Sequence, residues 1–372
     1  MASGGKPGFW QRLIGRVADA ADAPPSELST LPAVQHTHAP GSSAPQAPST
    51  AVPADLHDFD LGAEIGRGAM AIVYKATQRS TGRQVAVKRL ALSREFSAED
   101  LVDVRERFMR EARAARTLDH PDILQVVDAG QDGRDAWIAL EYVLGRDLST
   151  FTKPSQLLPV REVVQLGARL ARALHYAHSQ GVIHRDIKPA NVMLDRVNGS
   201  LKLMDFGIAR VGDGSRTRTG LVLGTPSFMS PEQLAGLTVD GRSDLYSLGV
   251  LLYQLLAGSL PHQSDSMARL MQQIATEPAP DVRTRRPELP ESLALVLALS
   301  LQKRPELRYA SGEQLARDLD AVLVMDLQAE PAAPQGHTPQ DPGFAQTLRL
   351  TPEEAGQNRR SPAEPHEPPQ AP

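Results

Sequence analysis

The chain contains no cysteine, which excludes disulfides, zinc–thiolate sites and thiol catalysis. Aromatic residues are scarce, at 4%, so the 41% hydrophobic content is mainly aliphatic and has to build the core. Over 372 residues that is enough for one large domain or two modest ones. Neither charge dominates: 40 Lys and Arg against 44 Asp and Glu leave a formal −4, so no basic field points to a nucleic-acid partner. No uninterrupted apolar run approaches the roughly 20 residues of a membrane-spanning helix. The opening text MASGGKPGFWQRLIGRV has no apolar h-region, because Gln11, Arg12 and Arg16 interrupt it, and it does not read as a secretory signal. Together these absences predict a cytoplasmic protein with no transmembrane segment.

Proline divides the chain. Residues 1–56 hold 8 of the 30 prolines and residues 328–372 hold 10, leaving 12 for everything between. Both ends are rich in Ala, Ser, Gln and His. Such text buries too little apolar area to offset chain entropy, so 1–56 and 328–372 are predicted to be largely disordered. Within the first, Phe9, Trp10, Leu13, Ile14 and Val17 share one helical face beside Lys6, Arg12 and Arg16. That pattern is compatible with a short amphipathic helix over 8–19 that could dock on a partner or a membrane surface, but a fraying terminus is the reading favoured, because isolated helices this short are marginal. In the second, the stretch 343–351 is poorer in proline, and Thr347 and Thr351 are candidates for a phosphorylated docking site.

The middle, 57–327, begins with strand-like text. Phe59–Ile65, Ala71–Ala76 and Gln84–Lys88 are short β-rich runs around a glycine turn. Residues 99–118 read as a charged helix with Leu101, Val104, Phe108, Ala112 and Ala115 at helical spacing. Asp135–Val143 returns to strand, and Val160–Gln180 and Ser243–Ala257 are the longest apolar-periodic stretches of a mostly helical remainder. An α+β fold with two lobes and a cleft follows: a β-rich lobe over about 57–143 and a helical lobe over about 144–327.

Four motifs carry chemistry. The turn Gly66-Arg67-Gly68-Ala69-Met70-Ala71 would let backbone N–H groups approach phosphates, although alone it is an ordinary hairpin. Lys88, closing Val85-Ala86-Val87-Lys88, can neutralise phosphate oxygens if a carboxylate holds it. The segment His184-Arg185-Asp186-Ile187-Lys188-Pro189-Ala190-Asn191 is far more specific. Asp186 would accept a hydroxyl proton, Lys188 would neutralise charge on a transferring phosphoryl group, and Asn191 would ligate a metal ion. Asp205-Phe206-Gly207 adds a second carboxylate for magnesium, which favours one or two carboxylates plus substrate phosphates.

With IGRGAMAIVYKA, VAVK, HRDIKPAN, DFG and SPE in this order, the chain resembles the eukaryotic-like (Hanks-type) serine/threonine protein kinases, most of all the bacterial members. The resemblance covers roughly 57–327. It implies the bilobal protein-kinase fold, with a β-rich N-lobe carrying one main helix, a helical C-lobe, and ATP in the cleft with Mg2+, for which Mn2+ can substitute. It places the loop Gly66–Ala71 over the ATP phosphates and Lys88 on the α- and β-phosphates. Glu106 and Glu111 compete to hold Lys88; the text up to His120-Pro121 favours Glu111. Ile65, Val73, Ala86 and Met193 would enclose the adenine, with Leu140 as gatekeeper and the backbone of Glu141 and Val143 in the hinge. Thr225 would line the substrate site, Glu232 would form a buried ion pair with Arg308, and Asp244 would brace the catalytic loop through its backbone. Two positions depart from the family pattern: Ala71 stands at the third glycine, and Ser230 at the first residue of the Ala-Pro-Glu motif.

Lys188, two residues after Asp186, is the serine/threonine signature within the family, and Gly224-Thr225 agrees with it. Small-molecule kinases of this fold lack a long segment ending in Pro-Glu, whereas 26 residues separate Asp205 from Glu232 here. Arg185 implies control by phosphate on that segment, with Thr217 and Thr219 as autophosphorylation sites. The partners implied are protein substrates with Ser/Thr acceptors, a phosphothreonine-reading protein, and a transient homodimer for phosphorylation in trans.

Overall fold

Alternation of β-branched and polar residues between positions 59 and 141 produces one antiparallel sheet. The computed structural model describes residues 56–67, 71–97, 99–133, 135–206 and 226–327. The sheet comprises β1 (Phe59–Arg67), β2 (Ala71–Gln78), β3 (Gln84–Leu90), β4 (Val126–Asp132) and β5 (Asp135–Glu141), in spatial order β1-β2-β3-β5-β4. The period of two sorts β3 cleanly. Val85 and Val87 are fully buried against Phe59, Ala76, Trp137 and Ala139. Ala86 and Lys88 therefore lie on the opposite face. Phe59 meets Trp137 edge-on, ring centroids 5.2 Å apart, which closes that side of the sheet.

After the four-residue helix α1 (Leu92–Glu95), α2 (Leu101–Arg116) packs on the other face. Its buried residues are Leu101, Val104, Phe108, Ala112 and Ala115, the five that helical spacing predicts. They share a core with Leu90, Ala136, Ile138 and Leu140 of the sheet. The predicted strand 135–143 ends at Glu141, so Tyr142 and Val143 lie beyond it. β4 has no counterpart among the sequence-based strands: its text, VVDAGQD, has only two β-branched residues, and pairing with β5 rather than local propensity makes it a strand.

The helical part is built on α3 (Val160–Ser179) and, following the short α4 (Pro231–Leu234), on α5 (Gly241–Ala257). α5 is apolar nearly all round, as a helix in the middle of a core must be. α6 (Met267–Thr276), α7 (Glu291–Ser300) and α8 (Gly312–Met325) complete it. α8 approaches α3 closely: a Cβ on Gly312 would stand 2.1 Å from the Ala171 carbonyl oxygen.

A small sheet β6-β7-β8 interrupts the predicted run of helices, with β6 (Arg146–Asp147), β7 (Val192–Asp195) and β8 (Ser200–Leu203). Val192 pairs with Leu203 and Met193 with Lys202. This hairpin sets the site, because Asn191 immediately precedes one strand and Asp205 follows the other by two residues. The Met204 amide extends the ladder, donating to the Asn191 carbonyl at 2.9 Å.

Candidate active site

The loop 184–191 is held from below by Asp244, in the first turn of α5. One oxygen of this buried carboxylate accepts from the Arg185 amide at 2.7 Å. The other accepts from the His184 amide at 2.8 Å and meets His178 Nε2 at 2.7 Å. The brace is needed: Arg185 (φ 65°) and Asp205 (φ 58°) are the non-glycine residues with positive φ among the described residues. Such backbone costs on the order of 1–3 kcal/mol and persists only when its surroundings hold it.

His184 joins the two halves of the site. Its Nε2 lies 2.7 Å from the Met204 carbonyl oxygen, and the Asp186 amide donates to its Nδ1 at 3.2 Å. One neutral tautomer, protonated on Nε2, satisfies both contacts. The ring is fully buried and lies 4.6 Å, centroid to centroid, from Phe206. The order of this loop therefore depends on the segment carrying Asp205.

Lys188 Nζ donates to Asp186 Oδ2 at 2.7 Å, and Asn191 Nδ2 donates to the same oxygen at 2.9 Å and to the Asp186 carbonyl at 2.7 Å. Among the described residues these bonds all reach Oδ2 or the carbonyl of Asp186, not its Oδ1. Because Asn191 donates through its nitrogen, its Oδ1 is the atom that can face a cation.

Lys88 Nζ lies 2.9 Å from each oxygen of Asp205. In this structure the carboxylate that meets Lys88 is therefore that of Asp205. Glu111 sits half-buried on α2, beside buried Ala112, whereas Glu106 is exposed.

The donor types fit a magnesium ion: Asp205 and Asn191 supply hard oxygens, although no group of three or more His, Asp or Glu side chains gathers here or elsewhere among the described residues. A site of this kind is completed by phosphate oxygens and water. That Asp205 already attracts a cation, Lys88, shows the charge it offers.

Strand register arranges the residues expected around adenine. Gly66 pairs with Val73, Val73 with Lys88, and Ala86 with Leu140. Ile65 is 48% exposed. Met193 lies on β7. At the end of β5, the Glu141 amide donates to the Gln125 carbonyl at 3.0 Å, so that N–H is engaged within the protein. The Glu141 side chain accepts from Lys202 Nζ at 2.7 Å and from the Gln125 amide at 2.9 Å. Val143 follows, half-buried. Gly68, Ala69, Met70, Thr217, Thr219 and Thr225 lie outside the described residues, as do Thr347, Thr351 and the segment 8–19.

Glu232 and Arg308 form the expected buried pair, with bonds of 2.6 and 2.8 Å. Burial pushes the Glu232 carboxyl up, but Arg308 and the Ser243 hydroxyl outweigh it and hold the group below the usual range. Arg308 also donates to the carbonyls of Gln302 and Lys303 and lies over Tyr246. Sequence reasoning missed several contacts: His178 on Asp244, Lys202 on Glu141, and Gln233 on the Arg185 carbonyl at 3.0 Å. Each joins residues distant in sequence, and no local pattern announces them.

Residues 59–319 match the protein kinase domain family. The probable serine/threonine-protein kinase SCO3848 of Streptomyces coelicolor is 42% identical over 276 residues, 71% of this chain and 40% of that one. The crystal structure of the Mycobacterium tuberculosis PknI kinase domain is similar with a TM-score of 0.58 and 32% identity, covering 73% of this chain and 99% of that domain. That of Rad53 1–466 in complex with AMP-PNP is similar at 0.58 and 25% identity, covering 70% and 64%. The chain spans half or less of the length of the curated relatives first matched. With the hydrogen-bonded loop 184–191 set against Lys88 and Asp205, these likenesses lead to one statement: the chain belongs to the protein kinase family, among the bacterial, eukaryotic-like (Hanks-type) serine/threonine kinases.

Proposed function

We propose that this protein transfers the γ-phosphoryl group of ATP to serine and threonine hydroxyls of other proteins. The observation that carries the reading is the convergence of Lys188 and Asn191 on one oxygen of Asp186, within the loop that His184 ties to the Asp205 segment. Asp186 Oδ1 takes the proton of the acceptor hydroxyl as its oxygen bonds to phosphorus and the bond to the departing ADP oxygen breaks. Lys188 Nζ, 2.7 Å from Asp186, is the cation proposed to lower the charge that builds on the transferring oxygens. Positioning and charge neutralisation are most of what this transfer needs. Asn191 Oδ1 and Asp205 would hold magnesium, which when bound shields the phosphates and orients them.

Nucleotide binding requires Lys88 to exchange at least part of its contact with Asp205 for phosphate oxygens. Glu111 is the carboxylate proposed to hold it in that state. Ile65, Val73, Ala86 and Met193 are proposed to enclose the adenine, with the Glu141 and Val143 backbone at its polar edge. The complex of Rad53 with AMP-PNP, an ATP analogue, supports ATP as the donor. Thr217 and Thr219 are proposed as autophosphorylation sites read by Arg185, whose side chain is exposed on the catalytic loop. A cytoplasmic location and phosphorylation between copies complete the reading.

The test is transfer of label from γ-labelled ATP, with magnesium, to the protein itself and to a generic basic protein, beside Asp186→Asn. Transfer by the parental chain and loss of at least about 100-fold in the variant are expected. Equal labelling by the parental chain and by Asp186→Asn refutes the reading. Peptide mapping of the labelled parental protein then decides whether Thr217 and Thr219 carry the phosphate.

A further inference from the structure

We propose that Gln233 is a positioning residue for the catalytic loop, holding Arg185 by its carbonyl while Asp244 holds it by its amide. The proposal rests on the kinase reading above. Arg185 is the residue before Asp186 and has φ of 65°. A residue in that conformation is clamped only if both its peptide groups are fixed. Asp244 fixes the N–H side at 2.7 Å, and Gln233 Nε2 fixes the C=O side at 3.0 Å. The Arg185 carbonyl belongs to the peptide that carries the Asp186 amide, so its orientation sets where the Asp186 side chain begins.

The orientation of the Gln233 amide is dictated by its other end. The Ser230 amide donates to Gln233 Oε1 at 3.0 Å, and an N–H must face oxygen. The nitrogen then necessarily faces the Arg185 carbonyl. Ser230 Oγ in return accepts from the Gln233 amide at 3.3 Å, so a reciprocal cap on α4 holds the side chain at its base. Glu232, one residue earlier, is anchored to Arg308. Gln233 therefore connects the region that follows the 207–225 segment to the peptide beside the catalytic carboxylate. The cap alone would be served equally by glutamate; the bond to Arg185 needs a donor, which only the amide provides.

That difference supplies the experiment. Gln233→Glu keeps an acceptor for the Ser230 amide but turns an acceptor toward the Arg185 carbonyl. Gln233→Met removes both bonds. Steady-state kinetics with a generic basic protein and thermal unfolding are measured on the full chain. For Gln233→Glu the expected results are a Tm within about 3 °C of the parental value, a kcat lowered about tenfold or more, and a KM for ATP changed by less than about threefold. A parental kcat in Gln233→Glu overturns the proposal. So does a loss confined to Gln233→Met that follows its Tm. Failure of the parental chain to transfer phosphate beyond Asp186→Asn overturns the kinase reading itself, and the two failures are therefore distinct.

Discussion

Asp244 carries three contacts on one buried carboxylate, and each of its oxygens meets a different amide of the catalytic loop. Asparagine in its place would turn an NH2 group toward one of those amides, leaving a buried donor facing a donor. Asp244→Asn should cost roughly 2–3 kcal/mol of stability, read in urea unfolding, and lower kcat more than the KM for ATP. The Glu232–Arg308 pair makes a sharper case, because both partners are buried. Arg308→Met leaves the Glu232 carboxylate uncompensated and should cost about 3–5 kcal/mol. Adding Glu232→Gln should then cost less than it does alone, so a double-mutant cycle on unfolding free energies should give a clear coupling term. If the two losses simply add, the pair is not the unit described here. At this scale the sequence was most informative where residues act through a motif: Asp186, Lys188, Asn191 and Asp205 were all legible. Lys88 was legible as a cation in need of a carboxylate. That Asp205 would be the carboxylate it meets was not, because the two are 117 positions apart.

Among the elements, α2 was the most readable, since its five buried residues follow from spacing alone. α3 and α5 were read to within two residues at each end. β6 and β7 were not read, being two and four residues long and defined by pairing rather than pattern. Contact between elements was equally hidden. Gly312 opens α8, and its missing side chain lets that helix approach the Ala171 carbonyl of α3. A methyl group there meets backbone, not a side chain that can swing away. Gly312→Ala should therefore destabilise by roughly 2–3 kcal/mol despite the better helix propensity of alanine. Thermal unfolding checks this; a neutral or raised Tm would mean that α8 and α3 separate at little cost.

For the molecule as a whole, the linked quantity is stability against pH. His262 is buried with its Nε2 3.1 Å from Lys303 Nζ, and Lys303 also donates to the Ile274 carbonyl at 2.8 Å. Burial first, and then the Lys303 charge, push the His262 pKa down from 6.5 to about 4. The unfolded chain takes up this proton near 6.5 while the folded protein resists until about 4. Folding stability should therefore fall as pH is lowered across that window, by an amount on the order of 1–3 kcal/mol. Glu232, held below the usual carboxylate range, adds a loss of the same sign at lower pH. Burial likewise lowers Lys303 from 10.5 to about 8, so its contribution runs upward with pH between those values. His262→Gln can still accept from Lys303 but cannot titrate. Its Tm should vary less between pH 6.5 and 4.5 than the parental Tm; parallel curves would show that His262 is not the group responsible.

The sequence by itself determined the family, the two-part α+β architecture and the identities of the groups suited to phosphoryl transfer. It could do so because phosphoryl transfer demands particular residue types at short spacings, and spacing is a property of the chain. The tertiary structure decided which of those groups meet. It put Lys88 on Asp205, turned the His184 ring to the Met204 carbonyl, clamped Arg185 between Asp244 and Gln233, and buried His262 beside Lys303. Each of these joins residues at least 20 positions apart. Their distances and charges are set by how the small sheet, α4 and α5 pack, and no local pattern in the chain encodes that packing.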